Sequence, residues 1–356
     1  MIFLNVKLKW LRDRIRTQDL QGMIVSNPVN IKYLTGIDAE GILLITLKEN
    51  IFVTDSRYVE AVNSNLTIED EIVVYDQKNL SKDDEANIFM FCENVGFEEY
   101  YVTYHDYTKM LQKFRVNLME TEKIVESQRV VKDEKEIQYI EKACEITDKC
   151  FEYLQDFIKI GMTEKEVASE IENYYRKNAD GVSFDPIVAT GHYSSMPHAI
   201  PGNRKIKNGD IILIDMGCKY KGYCSDMTRM LFVGYMEEEY EKPYEICLNN
   251  NKAAEDEIKD GRNIKQVALN SNNDLKQNGY MPLHSLGHGV GMDIHEEPIY
   301  NTNIDQAFKE GMVVTVEPGV YRPNQYGIRI EDTLLVEKEG VRVLTKSPKE
   351  PIIIKG

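Results

Sequence analysis

Residues 210–217 read DIILIDMG, an apolar strand with an acid, Asp215, near its end. A carboxylate in such a setting is costly unless its charge is compensated. A second acid, Asp226, follows beyond the turn around Tyr220 to Gly222. The odd separation of the two acids lets them sit directly opposite in a hairpin with an even-membered loop, their Cβ atoms roughly 5 Å apart. Like charges that close repel, and a cation between them is one resolution; a plain hairpin with two surface acids is the other.

A second acid pair follows. Glu317 ends the run Val313 to Val316 and precedes Pro318 and Gly319, while Glu331 lies inside IRIEDTLLV, Ile328 to Val336. At the two-residue period of a strand, Arg329 shares the face of Glu331 and Asp332 points the other way. Either glutamate alone could be an edge residue paired with Arg329. Four acids in buried-strand contexts are harder to explain that way.

Histidines are the third signal. LHSLGHGVGMDIHEEP (Leu283 to Pro298) carries His284, His288 and His295, and SMPHAIPG (Ser195 to Gly202) carries His198. Gly287, Gly289 and Gly291 around His288 let the backbone bring its ring close to a shared centre. A solvated loop with incidental histidines is the bland alternative. His105 and His192 have no such context and read as structural or surface residues. Four carboxylates and one imidazole suit oxygen-rich sites for Mn²⁺, Co²⁺, Fe²⁺ or Zn²⁺. Two divalent ions would cancel four carboxylate charges, whereas one would leave the buried site in excess. A water bridging them would be deprotonated near neutral pH and serve as a nucleophile.

Working outward, a helix is predicted from Asp133, whose spacing to Glu136 makes a capping box, through Ile137, Ile140, Cys144, Thr147, Phe151, Leu154 and Ile158. A second starts at Thr163 with Glu166 three residues on and turns Val167, Ile171 and Tyr174 to the core. Beyond Asp180 come strands at Ile211 to Met216, Tyr223 to Val233, Val313 to Glu317 and Ile328 to Val336. Helical patterns near 240–258 and 263–277 interrupt them. This reads as an α+β domain, a sheet flanked by helices on one side. Two helix-then-hairpin units would permit a diverged duplication.

Residues 1–125 read differently, as a small α/β domain. Short β-type runs (Met23 to Val25, Ile42 to Leu47, Ile51 to Thr54, Ile72 to Tyr75) alternate with helical patterns such as Leu8 to Arg16 and Arg57 to Ala61. Tyr33 to Gly36 is expected to form a turn. The boundary falls near residue 125, leaving 126–356 as the second domain, and 356 residues suit two domains.

A net charge of -16 argues against nucleic acid or an anionic membrane as partner. Six cysteines without a CxxC pair suggest free thiols in a reducing compartment, the cytoplasm. The run Met1 to Val6 is shorter than a secretory core, and no stretch approaches about 18 apolar residues. Neither signal peptide nor membrane span is expected.

Asp215, Asp226, His288 in SLGHGVG, Glu317 in VEPGVY and Glu331 in IRIED, in that order, resemble the ligand set of the pita-bread metallopeptidases. RVVKDEKEI (Arg129 to Ile137), PHAIPGNRKIKNGD (Pro197 to Asp210), YLTG (Tyr33 to Gly36) and TDSRY (Thr54 to Tyr58) resemble one branch, the aminopeptidase P and prolidase enzymes. The resemblance covers nearly the whole chain. It implies a creatinase/prolidase-like N-terminal domain and a pita-bread (creatinase/aminopeptidase) catalytic domain. It implies two divalent ions, Mn²⁺ first among the candidates, bridged by Asp226 and Glu331. Asp215 would complete one site, and His288 and Glu317 the other. Glu317 would also shuttle the proton of a metal-bridged hydroxide. His198, His284 and His295 would hold the scissile carbonyl and oxyanion, and Arg329 would have a positioning role.

The implied substrates are short peptides with proline in second position. An Xaa-Pro bond lacks an amide hydrogen, and general peptidases handle it poorly. The N-terminal domain, from the same chain or from the partner in a homodimer, would limit access to short peptides. Methionine aminopeptidases share the five ligands but typically lack such an N-terminal domain. Creatinase-like amidinohydrolases have a metal-free site, and non-catalytic scaffold relatives usually lose ligands. Dipeptidase and aminopeptidase P preferences are not separated by these residues.

Overall fold

The computed structural model describes residues 2–66, 71–300 and 305–356, with side chains from Val6 onward. Met1, part of the N-terminal run read above, lies outside the described residues, and Ile2 to Val6 open the helix Ile2–Thr17. The chain divides into two compact units, Met1–Gln128 and Arg129–Gly356.

The first unit is built on a mixed six-stranded sheet. Its spatial order is Ile72–Asp76, Asn50–Thr54, Gly41–Thr46, Gly22–Val25, Asn94–Glu98, Asn117–Thr121. The antiparallel centre, Gly22–Val25 to Gly41–Thr46 to Asn50–Thr54, is flanked by parallel pairings on both sides. Its core gathers Ile24, Leu44, Ile51, Val53, Phe89, Val95, Met110 and Phe114. The strand Asn94–Glu98 (NVGFE) was not expected, because its composition has weak β propensity and pairing alone makes it a strand. Its last residue holds the segment that follows the neighbouring strand Gly22–Val25. Glu98 accepts hydrogen bonds from the Ser26 and Asn27 amides at 2.6 and 2.7 Å and from Asn30 Nδ2 at 2.7 Å. Burial nevertheless pushes its carboxyl up to about 7.

The turn expected at Tyr33 to Gly36 is corrected. Pro28–Thr35 is a helix, capped by Asn27 accepting from the Val29 amide, and Tyr33 to Thr35 form its last turn. Asn27–Pro28 is a start signal for a short helix, with proline in the first turn where no amide donor is needed. Gly36 ends it at φ 73°, its N–H donating to Lys32 O.

In the second unit the helices Glu134–Phe157 and Glu164–Asn178 both open with the expected capping boxes, Asp133 with Glu136 and Thr163 with Glu166. The second buries Val167, Ile171 and Tyr175; Tyr174, expected in the core, is half-buried and stacks on Tyr153 at 5.5 Å. Steps of four residues keep 167, 171 and 175 on one stripe, and Tyr174 falls beside it.

These helices cover one face of a four-stranded sheet ordered Ile352–Ile354, Met227–Val233, Ile211–Met216, Ile187–Thr190. Ile212, Ile214 and Met216 face them. Ile211 and Leu213 point the other way and meet Phe232, Tyr240, Tyr244 and Cys247. The helix Glu238–Glu257 thus packs on the opposite face, and the one-sided arrangement read from sequence is corrected. Strands apolar at every position are buried on both faces and need cover on both.

A five-stranded sheet follows, ordered Glu296–Ile299, His288–Gly289, Val313–Val316, Asp332–Glu337, Gly340–Val343. Ile264–Gln277 and Glu238–Glu257 supply its core partners Ile264, Val267, Ala268 and Ala254. The layout of the first half recurs. Gly161 N donates to Ile206 O and Gly261 N to Phe308 O, each at 2.9 Å, just ahead of the second helix of each pair. All six cysteines are free, and five of them are buried. Among the described residues no helix is long and apolar enough to cross a membrane.

Candidate metal centre

The two acid pairs lie where two antiparallel ladders end. In the first, Ile211–Met216 pairs with Met227–Val233, and Asp215 faces Thr228. The two-residue turn Lys221–Gly222, at φ 52° and 83°, sets Tyr220 opposite Tyr223 and fixes that register. Asp226 is therefore a diagonal neighbour of Asp215 on the same face, not directly opposite as the odd separation predicted. It also sits in a break, between Tyr223–Cys224 and Met227–Val233.

In the second ladder Val316 faces Asp332, so Glu317 and Glu331 are the next residues outward on each side. Glu331 lies between Tyr326–Arg329 and Asp332–Glu337, in a gap rather than inside a strand as the sequence suggested. Released from the ladder, its backbone N–H donates to Thr228 O at 3.2 Å, and its Oε2 accepts from Thr228 Oγ1 at 2.6 Å. Thr333 Oγ1 donates to Asp226 O at 2.7 Å. These bonds join the ends of the two sheets and bring the four acids into one place.

His288 enters from the strand beside Val313–Val316. Its N–H donates to Thr315 Oγ1 at 3.1 Å, and its Nδ1 is 3.1 Å from Gly289 O. A carbonyl can only accept, so Nδ1 carries the proton and the Nε2 lone pair is free. Nε2 points at the acids, 3.5 Å from both Asp226 Oδ2 and Glu317 Oε1. The flanking glycines serve close approach rather than unusual φ. A Cβ at Gly287 would meet Thr315 O at 2.2 Å, and one at Gly289 would meet Glu297 O at 2.3 Å.

The electrostatics ask for a cation. Burial, then the charges of Glu331, Asp215 and Glu317, raises Asp226 well above its ordinary range. Burial and the charges of Glu317 and Asp215 do the same to Glu331, and Glu317 is pushed up to about 7, chiefly by burial. Burial lowers His288 to about 4, which keeps its imidazole neutral. One donor atom each from Asp226, His288 and Glu331 lies within 4.8 Å of the others. Asp215 Oδ1 is buried without a hydrogen-bond partner. A buried acceptor left over beside three repelling carboxylates and a neutral imidazole fits divalent metal.

All nine residues singled out from sequence line one cavity of about 640 Å³: Asp215, Asp226, His288, Glu317, Glu331, His198, His284, His295 and Arg329. His284 Nε2 lies 2.9 Å from the Tyr321 hydroxyl, and burial lowers its pKa to about 4. The His295 ring stands edge-on to that of His288, centroids 4.4 Å apart. Arg329 pairs with Asp215, Nη2 to Oδ2 at 2.5 Å, and not with Glu331. His105 and His192 are exposed and outside the cavity lining. Sequence reasoning missed Thr228, Thr315 and Tyr321, which hold Glu331, His288 and His284. It also missed the apolar wall of Phe184, Pro186, Ile187, Ile294 and Ile299. Such uncharged residues carry no signal in a single sequence. The run FDPIV (Phe184 to Val188), upstream of the predicted strand Ile211 to Met216, was the nearest hint.

The profile of metallopeptidase family M24 matches residues 138–338, and that of the Creatinase/Prolidase N-terminal domain matches residues 7–131. An Xaa-Pro dipeptidase of Pyrococcus horikoshii is 33% identical, over 99% of this chain and 100% of its own length. Among solved structures, an Xaa-Pro dipeptidase from Bacillus anthracis matches with a TM-score of 0.93 at 35% identity, covering 99% of this chain and 100% of its own. An X-Pro aminopeptidase from Thermotoga maritima matches with a TM-score of 0.88 at 30% identity, covering 96% and 100%.

Proposed function

This chain belongs to metallopeptidase family M24, and from that premise we propose that it hydrolyses the bond between an N-terminal residue and a following proline in short peptides. Its fold is a creatinase-type N-terminal domain followed by a pita-bread catalytic domain. The observation that carries the proposal is the convergence of five metal-type donors and four further polar residues in one cavity beside an apolar wall.

The family implies divalent metal. We take the number of ions as two on the charge argument, with Mn²⁺ ahead of Co²⁺, Zn²⁺ and Fe²⁺. Asp226 and Glu331 would bridge them, Asp215 would complete one site, and His288 and Glu317 the other. Ions held there would lower the pKa of a nearby water and polarise a carbonyl oxygen. Glu317 takes a proton from the water as its oxygen bonds to the scissile carbonyl carbon. It returns the proton to the proline nitrogen as the C–N bond breaks. His198, His284 and His295 orient the carbonyl and steady its developing charge. Arg329 keeps Asp215 and Tyr321 in place.

The proline ring needs apolar surface and no amide acceptor, and Phe184, Pro186, Ile187, Ile294 and Ile299 offer that. The same reading includes a homodimer in the cytoplasm, and a sedimentation measurement checks the assembly.

The test compares Xaa-Pro dipeptides, Xaa-Pro-Yaa tripeptides and matched Xaa-Ala peptides on Mn²⁺-loaded protein, with and without chelator. Chelator-sensitive cleavage confined to the proline peptides is expected, and the dipeptide-to-tripeptide ratio separates dipeptidase from aminopeptidase. Equal cleavage of Xaa-Ala peptides would point to a general aminopeptidase. No cleavage and no stoichiometric metal would make the chain a scaffold.

A further inference from the structure

The segment RVVKDEKEI (Arg129 to Ile137) takes no part in the chemistry above, yet it brings buried charge to the edge of the cavity. Arg129 is 3% exposed, and its Nη2 donates to Asp293 Oδ2 at 2.7 Å and to Glu296 Oε1. Lys132, also buried, reaches Glu296 Oε2 at 3.2 Å. Glu296 Oε1 also accepts from the Asp293 amide at 3.0 Å. Its carboxylate lies so close to the Gly291 backbone that a Cβ there would come within 2.4 Å of Oε2. Two cations thus clamp one buried carboxylate, and that carboxylate closes the loop from Gly291 to Glu296 on itself.

Burying three charged groups is a poor way merely to seal a core, since apolar side chains of similar volume do so at least as well. What the clamp holds is the residue before Glu296. His295 lies on the cavity wall with its ring against that of His288. The loop is tied to the other acid pair as well, because Cys224 N donates to Gly291 O at 2.7 Å, two residues before Asp226. From the same segment, Glu136 accepts from the Tyr223 hydroxyl at 2.7 Å. One stretch of chain therefore braces both the loop that carries His295 and the strand Tyr223–Cys224 that leads to Asp226.

We propose that Arg129, assisted by Lys132, is a positioning residue for His295, acting through Glu296 and Asp293. The proposal rests on the reading of His295 as a residue that contacts substrate. Lysine in place of Arg129 keeps the charge but loses the guanidinium Nη2 that donates to both acids at once.

The test compares metal-loaded Arg129→Lys, Asp293→Ala, His295→Ala and their double variants on an Xaa-Pro dipeptide. It follows kcat, KM, metal content and unfolding temperature, with amide hydrogen exchange of residues 290–297 as a readout independent of turnover. Arg129→Lys should lower kcat about tenfold or more, with metal content and unfolding temperature near those of the parent and faster exchange in that loop. Adding Arg129→Lys or Asp293→Ala to His295→Ala should cost nothing further. Parent-like kcat and exchange in both clamp variants overturns the proposal, and so do double variants whose losses multiply. Loss of metal in a folded Arg129→Lys also overturns it, because the clamp would then serve the ligands. If Arg129→Lys does not fold, Asp293→Ala, whose side chain is 43% exposed, decides by the same criteria. Full turnover in His295→Ala overturns the reading of His295 and this proposal together. An impaired His295→Ala beside intact clamp variants sinks this proposal alone.

Discussion

Arg329 and Asp215 form a buried ion pair, Nη2 to Oδ2 at 2.5 Å, that occupies one oxygen of the acid and leaves Oδ1 without a hydrogen-bond partner. The same guanidinium donates through Nε to Thr228 Oγ1 at 3.0 Å, and through Nη1 to Tyr321 Oη at 3.1 Å and Pro197 O at 3.2 Å. One planar fork thus holds an acid, the threonine that fixes Glu331, the tyrosine beside His284 and the residue before His198. Asp215 is turned toward the centre through one oxygen only.

Lysine cannot reproduce that fork. Arg329→Lys is expected to retain bound metal while lowering kcat/KM by about 10- to 100-fold. Steady-state kinetics with metal analysis check this, and unchanged kcat/KM would remove Arg329 from the site.

Asp226 and Glu331 are the proposed bridges, so removing either charge should release both ions. Asp226→Asn and Glu331→Gln are expected to lose both metals on dialysis and nearly all activity. Two tightly bound ions in either variant would refute bridging by that residue.

His198 lines the same cavity as the carboxylates and is proposed to act on the substrate. His198→Ala should keep its metal and lose turnover by about 100-fold, as when a donor to a developing oxyanion is removed. A variant that loses metal would show His198 to be a ligand.

Metal-free protein should lose stability as pH rises. Burial and neighbouring acids raise Asp226 and Glu331 well above their ordinary range, and burial takes Glu317 from 4.5 to about 7. A carboxyl with a raised folded pKa keeps its proton after the unfolded chain has released it. The folded state is therefore disfavoured as pH climbs from the ordinary carboxylate range through about 7. Divalent metal should flatten that slope and bind more tightly at higher pH, because it displaces protons. Denaturant midpoints at about pH 5 and about pH 8, with and without Mn²⁺, check the sign. Metal-free protein that is more stable at the higher pH would contradict it.

Much of the fold was legible because it depends on local signals. Asp133 with Glu136 and Thr163 with Glu166 mark helix starts through hydrogen bonds three residues apart, and both capping boxes are present. The apolar run Ile211 to Met216 marks a strand whatever its neighbours. By contrast, Asn94–Glu98 is a strand only because the strands Gly22–Val25 and Asn117–Thr121 pair with it on either side. Pro28–Thr35 was mistaken because a helix of eight residues leaves little periodicity to read.

The chain by itself determined which side chains have the chemistry of a metal site. An acid in an apolar run, or a histidine among glycines, is anomalous at the level of the residue. Tertiary structure decided how they meet. The turn at Lys221–Gly222 shifted the register so that Asp226 faces Asp215 diagonally, and breaks in the ladders freed Asp226 and Glu331 to turn toward one centre. It also decided which neutral residues matter, since Thr228, Thr315 and Tyr321 act through hydrogen bonds to residues far away in sequence. Those bonds form between strands brought together by burying apolar surface, and no local pattern in the chain records which threonine will lie opposite which acid.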